Sequence, residues 1–150
     1  MSATAFAREV EAFPVREPFS FQTQPEGAII KITMHRGGDQ VAFLLCDTDG
    51  REMWFELGRT FERYRRLGYG TWIRAVAAWC AKRAGYKKIY QTSVRMSNTP
   101  RTRRPTSAYI MNMLGFNYRN NNNNNKKEER VLNLSQNIPN VNLIIRNIRR

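Results

Sequence analysis

The chain has 150 residues, 41% of them hydrophobic, and carries 25 Lys and Arg against 12 Asp and Glu, a net charge of +13. That length suits one domain with a single core, and the apolar fraction excludes wholesale disorder. No run of about eighteen apolar residues is present, the N-terminus lacks a basic start and apolar block, and Cys46 and Cys80 form no CxxC pair. A membrane span, a secretory signal, a disulfide framework and a zinc site are therefore not expected, and an intracellular, reducing compartment, cytoplasmic or nuclear, is.

Residues 5–13, AFAREVEAF, read as a short helix ended by Pro14, and Pro14, Pro18 and Pro25 break up the stretch that follows. AIIKITM at 28–34 is β-branched and partly alternating, a strand; Gly37-Gly38-Asp39 is a turn; QVAFLLC at 40–46 is a second strand. Asp49-Gly50 signals a hairpin into a third strand, REMWFEL at 51–57, with Met53, Phe55 and Leu57 on one face and Glu52, Trp54 and Glu56 on the other. These three strands form an antiparallel meander. TWIRAVAAWCAKRA at 71–84 reads as a helix with Trp72, Ile73, Val76, Cys80 and Ala84 on its apolar side, Arg74, Lys82 and Arg83 largely elsewhere, and Gly85 as its stop. KKIYQTSV at 87–94 is a strand, so strand, glycine loop, helix and strand make a βαβ unit with parallel strands.

TPRTRRP at 99–105 is a basic loop, and TSAYIMNML at 106–114 a short helix capped by Thr106 or Ser107 and stopped by Gly115. Phe116 to Arg119 starts another strand. Asn120 to Asn125 is an unbroken asparagine tract that cannot pack a core and reads as a loop. Such tracts occur in proteins from AT-rich genomes, those of large viruses included. VLNLSQ at 131–136 and VNLIIRNI at 141–148 resume strand-like composition. The chain thus divides into an N-terminal segment (1–27), a core (28–119), an asparagine-rich basic loop (120–130) and C-terminal strands that complete the sheet (131–150). The fold class is α/β or α+β, a mixed and mostly antiparallel sheet with a central βαβ unit.

The charge is concentrated around the glycine loop. Residues 1–58 carry five basic and nine acidic residues, net −4, whereas residues 59–104 carry thirteen basic and one acidic, net +12. Such a field attracts polyanions: nucleic acid, phosphorylated cofactors or acidic surfaces. The loop itself is RRLGYGT, Arg65 to Thr71. A strand ending before glycines and a helix starting after them offer unpaired backbone N–H groups, the positive end of a helix dipole, and close approach without a Cβ. Arg65 and Arg66 add charge-assisted donors. A tight turn is the structural alternative.

Arg65-x-x-Gly68-x-Gly70 resembles the R/Q-x-x-G-x-G/A motif of the GCN5-related N-acetyltransferases, the GNAT superfamily. The order around it is similar too: a meander before it, then the helix, the strand at 87–94, Asn98, a short helix, and Leu114-Gly115-Phe116. The resemblance spans residues 28–120. It implies an acyl-CoA N-acyltransferase-like sheet whose fourth and fifth strands splay, with Arg65, Arg66, Leu67, Gly68, Tyr69, Gly70 and Thr71 at the pyrophosphate of acetyl-coenzyme A, pantetheine against the strand edges of 51–57 and 87–94, and Asn98 as a further cofactor contact. It implies transfer of an acetyl group to an amine of a protein or small molecule, with a fourth-strand carboxylate as base. Glu56 fits that role; Glu52 on the same face is a weaker candidate, and a solvent-facing strand residue is the alternative for both. The sequence departs from the family at Met111, where the proton-donating tyrosine is usual. Tyr109 lies about 200° around the helix from it. The gap after Asn98 is also longer, and the early strands leave little room for the family's two N-terminal helices.

His35, at a strand edge, reads as a surface residue. Cys46, Cys80, Trp72 and Trp79 read as core. Tyr64, Tyr69 and Tyr90 are interleaved with arginines and lysines, a pattern that suits single-stranded nucleic acid, although no RNP, KH or helix-turn-helix signature accompanies it. Arg101, Arg103 and Arg104 could reach cofactor phosphates or nucleic acid. A catalytically inactive GNAT-like basic module that binds nucleic acid or another acidic partner through residues 59–104 is therefore the second reading.

Overall fold

The fold was analysed in a computed structural model that describes residues 2–50, 52–94, 106–119 and 127–150. In chain order the elements are α1 (Ala3–Glu11), β1 (Phe19–Glu26), β2 (Ile29–Arg36), β3 (Asp39–Asp47), β4 (Met53–Thr60), a 3₁₀ turn (Glu62–Tyr64), α2 (Tyr69–Arg83), β5 (Lys88–Val94), α3 (Thr106–Leu114), β6 (Asn117–Arg119), β7 (Lys127–Asn133) and α4 (Pro139–Ile148). One seven-stranded sheet runs β1-β2-β3-β4-β5-β7-β6. Every pairing is antiparallel except β4 with β5.

The expected meander and βαβ unit are both present. One face of the sheet holds the core. Phe21, Ile30, Ile32, Met34, Leu44, Cys46, Met53, Phe55, Ile89 and Leu132 are all buried there. α2 lies across that face, and α1, α3 and α4 each pack against α2. Its sequence, rich in alanine, allows this close approach on all sides: Ala75, Ala77, Ala78 and Ala81 are all buried. Gly85, at φ 96°, ends the helix. Its N–H bonds the Lys82 carbonyl and the Tyr86 N–H bonds that of Ala81, so the last carbonyls are satisfied. Among the described residues no helix is long and apolar enough to cross a membrane.

Three expectations are corrected. The proline-broken stretch contains a full strand, β1, which sits at the sheet edge, where Pro25 costs little because an edge strand pairs on one side only. The C-terminal residues 141–148 form a helix, not a strand. Pro139 opens its first turn, and Val141, Ile145 and Ile148 recur at helical spacing and are buried against α2, which overrides their β-branched preference. The segment 120–130 is not all loop, since β7 begins at Lys127. The N-terminal segment belongs to the same core: Phe6 and Val10 of α1 are fully buried, with the Phe6 ring edge-on to Tyr86 at 6.2 Å. The chain end is tied back to it, because the Arg16 N–H bonds the Ile148 carbonyl and the Arg150 N–H bonds that of Pro14.

Cys46 and Cys80 are free and buried, as expected, and burial pushes both thiols well above the ordinary range. Two outcomes are expected. Neither thiol of the native protein should react with a thiol-specific chromogenic reagent at pH 8, and both should react in denaturant. Because the folded pKa values are raised, the thiol contribution to stability is fully present below about pH 8.5, where unfolded thiols ionise, and declines above it. Denaturant melts between pH 8.5 and 10 should show a loss of up to about 1.4 kcal/mol per thiol per pH unit, absent in a Cys46→Ala, Cys80→Ala variant.

Candidate active site

β4 and β5 pair over only Met53↔Ile89, Trp54↔Tyr90 and Phe55↔Gln91, although β4 continues to Thr60 and β5 to Val94. Beyond those pairs the strands part, leaving a fork. A β-bulge marks the parting point. Leu45 faces Leu57 and Cys46 faces Phe55, so Glu56 is the extra residue. The bulge corrects the expected alternation: Leu57 turns away from the core and is 52% exposed, and Gly58 and Thr60 now face α2. Glu56 is exposed at the start of the fork. Glu52 is instead engaged, accepting from the Tyr90 hydroxyl at 3.5 Å, while Trp54 stacks on the Tyr90 ring with centroids 4.9 Å apart.

The open end of the fork leads to the glycine loop. α2 starts two residues earlier than expected, with Gly68 as its N-cap at φ 86° and ψ 6°. Arg66 is left-handed too, at φ 68°. Thr71 and Trp72 donate to the Gly68 carbonyl at 3.1 and 3.0 Å. Among the described residues nothing accepts from the N–H groups of Leu67, Gly68, Tyr69 or Gly70. Four successive unpaired donors at a helix N-terminus are groups that could hold an anion. A side chain at Gly70 would crowd the elements packed around the loop, because a Cβ there would lie 3.0 Å from Ile110 and 3.3 Å from the Thr60 hydroxyl.

The other expected residues fall into place unequally. Arg65 folds back, Nε donating to the Thr60 carbonyl at 3.2 Å, and so braces the loop's entry. Arg66 and Leu67 are exposed, whereas Thr71 is buried. Tyr69 is a buried wall residue: its hydroxyl accepts from Arg36 Nη1 at 3.2 Å and its ring meets Phe19 and Trp72. Asn98 and the arginines at 101, 103 and 104 lie outside the described residues. Met111 is fully buried. Tyr109 shares its helix, and its side chain is outside the described ones. His35 stands two strands from the fork, its Nδ1 buried without a partner among the described residues.

Sequence reasoning missed Arg74. Expected on the polar side of α2, it is 4% exposed. Nε donates to Gln91 Oε1 at 3.3 Å and Nη1 to the Gly70 carbonyl at 3.1 Å. Burial lowers its pKa to about 10, which leaves it cationic at neutral pH. The available signal was the spacing of Gly58 and Gly70, two positions without side chains that make room for it.

No family model matches the chain, and no curated protein does. Solved structures match closely in shape. A GNAT family acetyltransferase from Elizabethkingia anophelis with acetyl-CoA bound superposes with a TM-score of 0.64 at 9% identity, over 79% of this chain and 99% of that one. The chain has the GNAT acetyltransferase fold. A Bacillus subtilis acetyltransferase in complex with CoA gives a TM-score of 0.61 at 11% identity over 77% of this chain and 98% of that one. The ribosomal-protein-S18-alanine N-acetyltransferase of Escherichia coli gives 0.58 at 14% identity over 91% and 92%. The GNAT fold accounts for the mixed sheet and for the splayed fourth and fifth strands that the resemblance implied.

Proposed function

We propose that the chain is an acetyl-coenzyme A-dependent N-acetyltransferase. The observation that carries this is the row of unpaired N–H groups from Leu67 to Gly70 at the mouth of the β4/β5 fork. Structures of the same fold in which CoA or acetyl-CoA is bound support it. The residues present fit that group. The loop N–H donors and the dipole of α2 hold a diphosphate, with Arg66 exposed beside them, and the free edges of β4 and β5 offer backbone partners to an extended amide chain. When bound, acetyl-CoA supplies an activated acetyl thioester. Glu56 stands where the fork opens and takes the proton from the acceptor ammonium, directly or through a water, so that a neutral amine attacks. Met111, apolar and buried, donates no proton to the leaving thiolate. Glu56→Gln should lower kcat by about 10²–10⁴ with KM for acetyl-CoA little changed, as steady-state kinetics on a responsive amine would show.

The acceptor is an amine of a protein or small molecule, and the exposed Arg59, Arg63, Arg65 and Arg66 favour an acidic one or a protein carried on nucleic acid. The same arginines, with Met111 in place of a proton donor, favour the second reading: a GNAT-like module that binds a polyanion without catalysis. Calorimetric titration separates the two. Micromolar binding of acetyl-CoA supports the enzyme. Absence of such binding in a folded sample, with polyanion affinity that falls steeply with salt, overturns it.

A further inference from the structure

The guanidinium of Arg74 lies under the fork. On one side it contacts Gly58 of β4 so closely that a Cβ there would collide with Nη2 and lie 2.8 Å from Cζ. On the other it bonds Gln91, the last β5 residue paired to β4, itself 4% exposed. The charge thus bridges the two strands on the helix side, at the level where they separate. Among the described residues it forms no ion pair, and its two hydrogen bonds go to neutral oxygens. An arginine carries five N–H donors. Nη2 has no acceptor among the described residues.

A buried cation held only by neutral groups is costly, and an apolar side chain of similar size in its place is often neutral or stabilising. The neighbours Ala75, Ala77 and Ala78 leave α2 no packing need for a charge. A ligand in the fork would lie beside this guanidinium, between Gly58 and Gln91. Resting on the proposed acyltransferase function, we infer that Arg74 is the floor of the donor site and determines its specificity, its free guanidinium edge donating to the acyl carbonyl oxygen of an acyl thioester lying between β4 and β5. The thioester, rather than the coenzyme body, is what this residue recognises. Gln91 and the Gly70 carbonyl hold it in register.

Calorimetric titration of the full chain with acetyl-CoA and with free CoA tests this, beside Arg74→Met, Arg74→Lys and Gly58→Ala. The wild type should prefer acetyl-CoA. Arg74→Met should weaken acetyl-CoA at least tenfold and CoA less than twofold, with thermal stability unchanged or raised. Gly58→Ala, which displaces the guanidinium without removing it, should show the same selective loss. Arg74→Lys should lie between, a point charge replacing a planar fork. Equal weakening of both ligands together with a lower melting temperature would make Arg74 a structural pin and overturn the inference, as would an unchanged preference in all three variants. If Arg74→Met does not fold, Gly58→Ala and Arg74→Lys decide on the same ratio. Wild-type protein that binds neither ligand would sink the acyltransferase reading itself, whereas binding with a ratio insensitive to Arg74 would sink only this inference.

Discussion

Gly68→Asp should weaken acetyl-CoA binding by about a hundredfold or more, while Gly68→Asn weakens it only a few-fold. Gly68 is left-handed at φ 86°. Asn and Asp both tolerate that conformation better than other side chains, at a cost of roughly 1 kcal/mol, so the pair shares its backbone strain. The two differ by one charge. A carboxylate about 4 Å from a diphosphate repels each charge by about 1 kcal/mol in water and several-fold more at a partly desolvated surface. A hundredfold change corresponds to about 2.7 kcal/mol, within that range. The difference between the two variants should also shrink as salt is raised. Titration calorimetry reads both effects, and circular dichroism checks that the fold survives. Equal losses in Asn and Asp variants would mean that the loop matters for its shape alone and that no anion sits on it.

The largest stability effect should come from the first helix. Phe6→Ala is expected to cost about 3–5 kcal/mol, because Phe6 is fully buried among core residues and its removal leaves a cavity that the Tyr86 ring cannot fill by rotation alone. For a chain of this size that lowers the melting temperature by roughly 10 °C. Leu143→Ala, at a position 54% exposed on α4, should change stability by less than about 0.5 kcal/mol. Denaturant melts that showed no difference between the two variants would place residues before β1 outside the cooperative unit.

The central βαβ unit and the glycine loop were legible because their signals are local: a period change from two to 3.6 and glycines at fixed spacing. The parts that escaped depend on distant neighbours. β1 reads as broken because prolines count against a strand only if it is central, and edge position is a property of the whole sheet. α4 reads as a strand because Val and Ile dominate it, and only the need to cover α2 selects the helical alternative. Glu56 was singled out as a strand carboxylate, and the bulge that sets it at the start of the fork is invisible in an alternating pattern that runs unbroken through Leu57. Arg74 escaped because a charge on a helix reads as solvated unless the space made by Gly58 and Gly70 on other segments is seen beside it.

Mechanically, the sheet is two stiff plates. One is the four-stranded meander β1–β4, the other the three-stranded β5-β7-β6, and the seam between them is three residue pairs long. Bending therefore concentrates at Met53–Phe55 and Ile89–Gln91, with α2 acting as a splint across the back of the seam. A load that pulls the plates apart meets few strand-to-strand bonds, whereas shear within either plate meets a continuous ladder. In such a body the compliance lies along the same line as the fork, so whatever fills the fork also stiffens the joint.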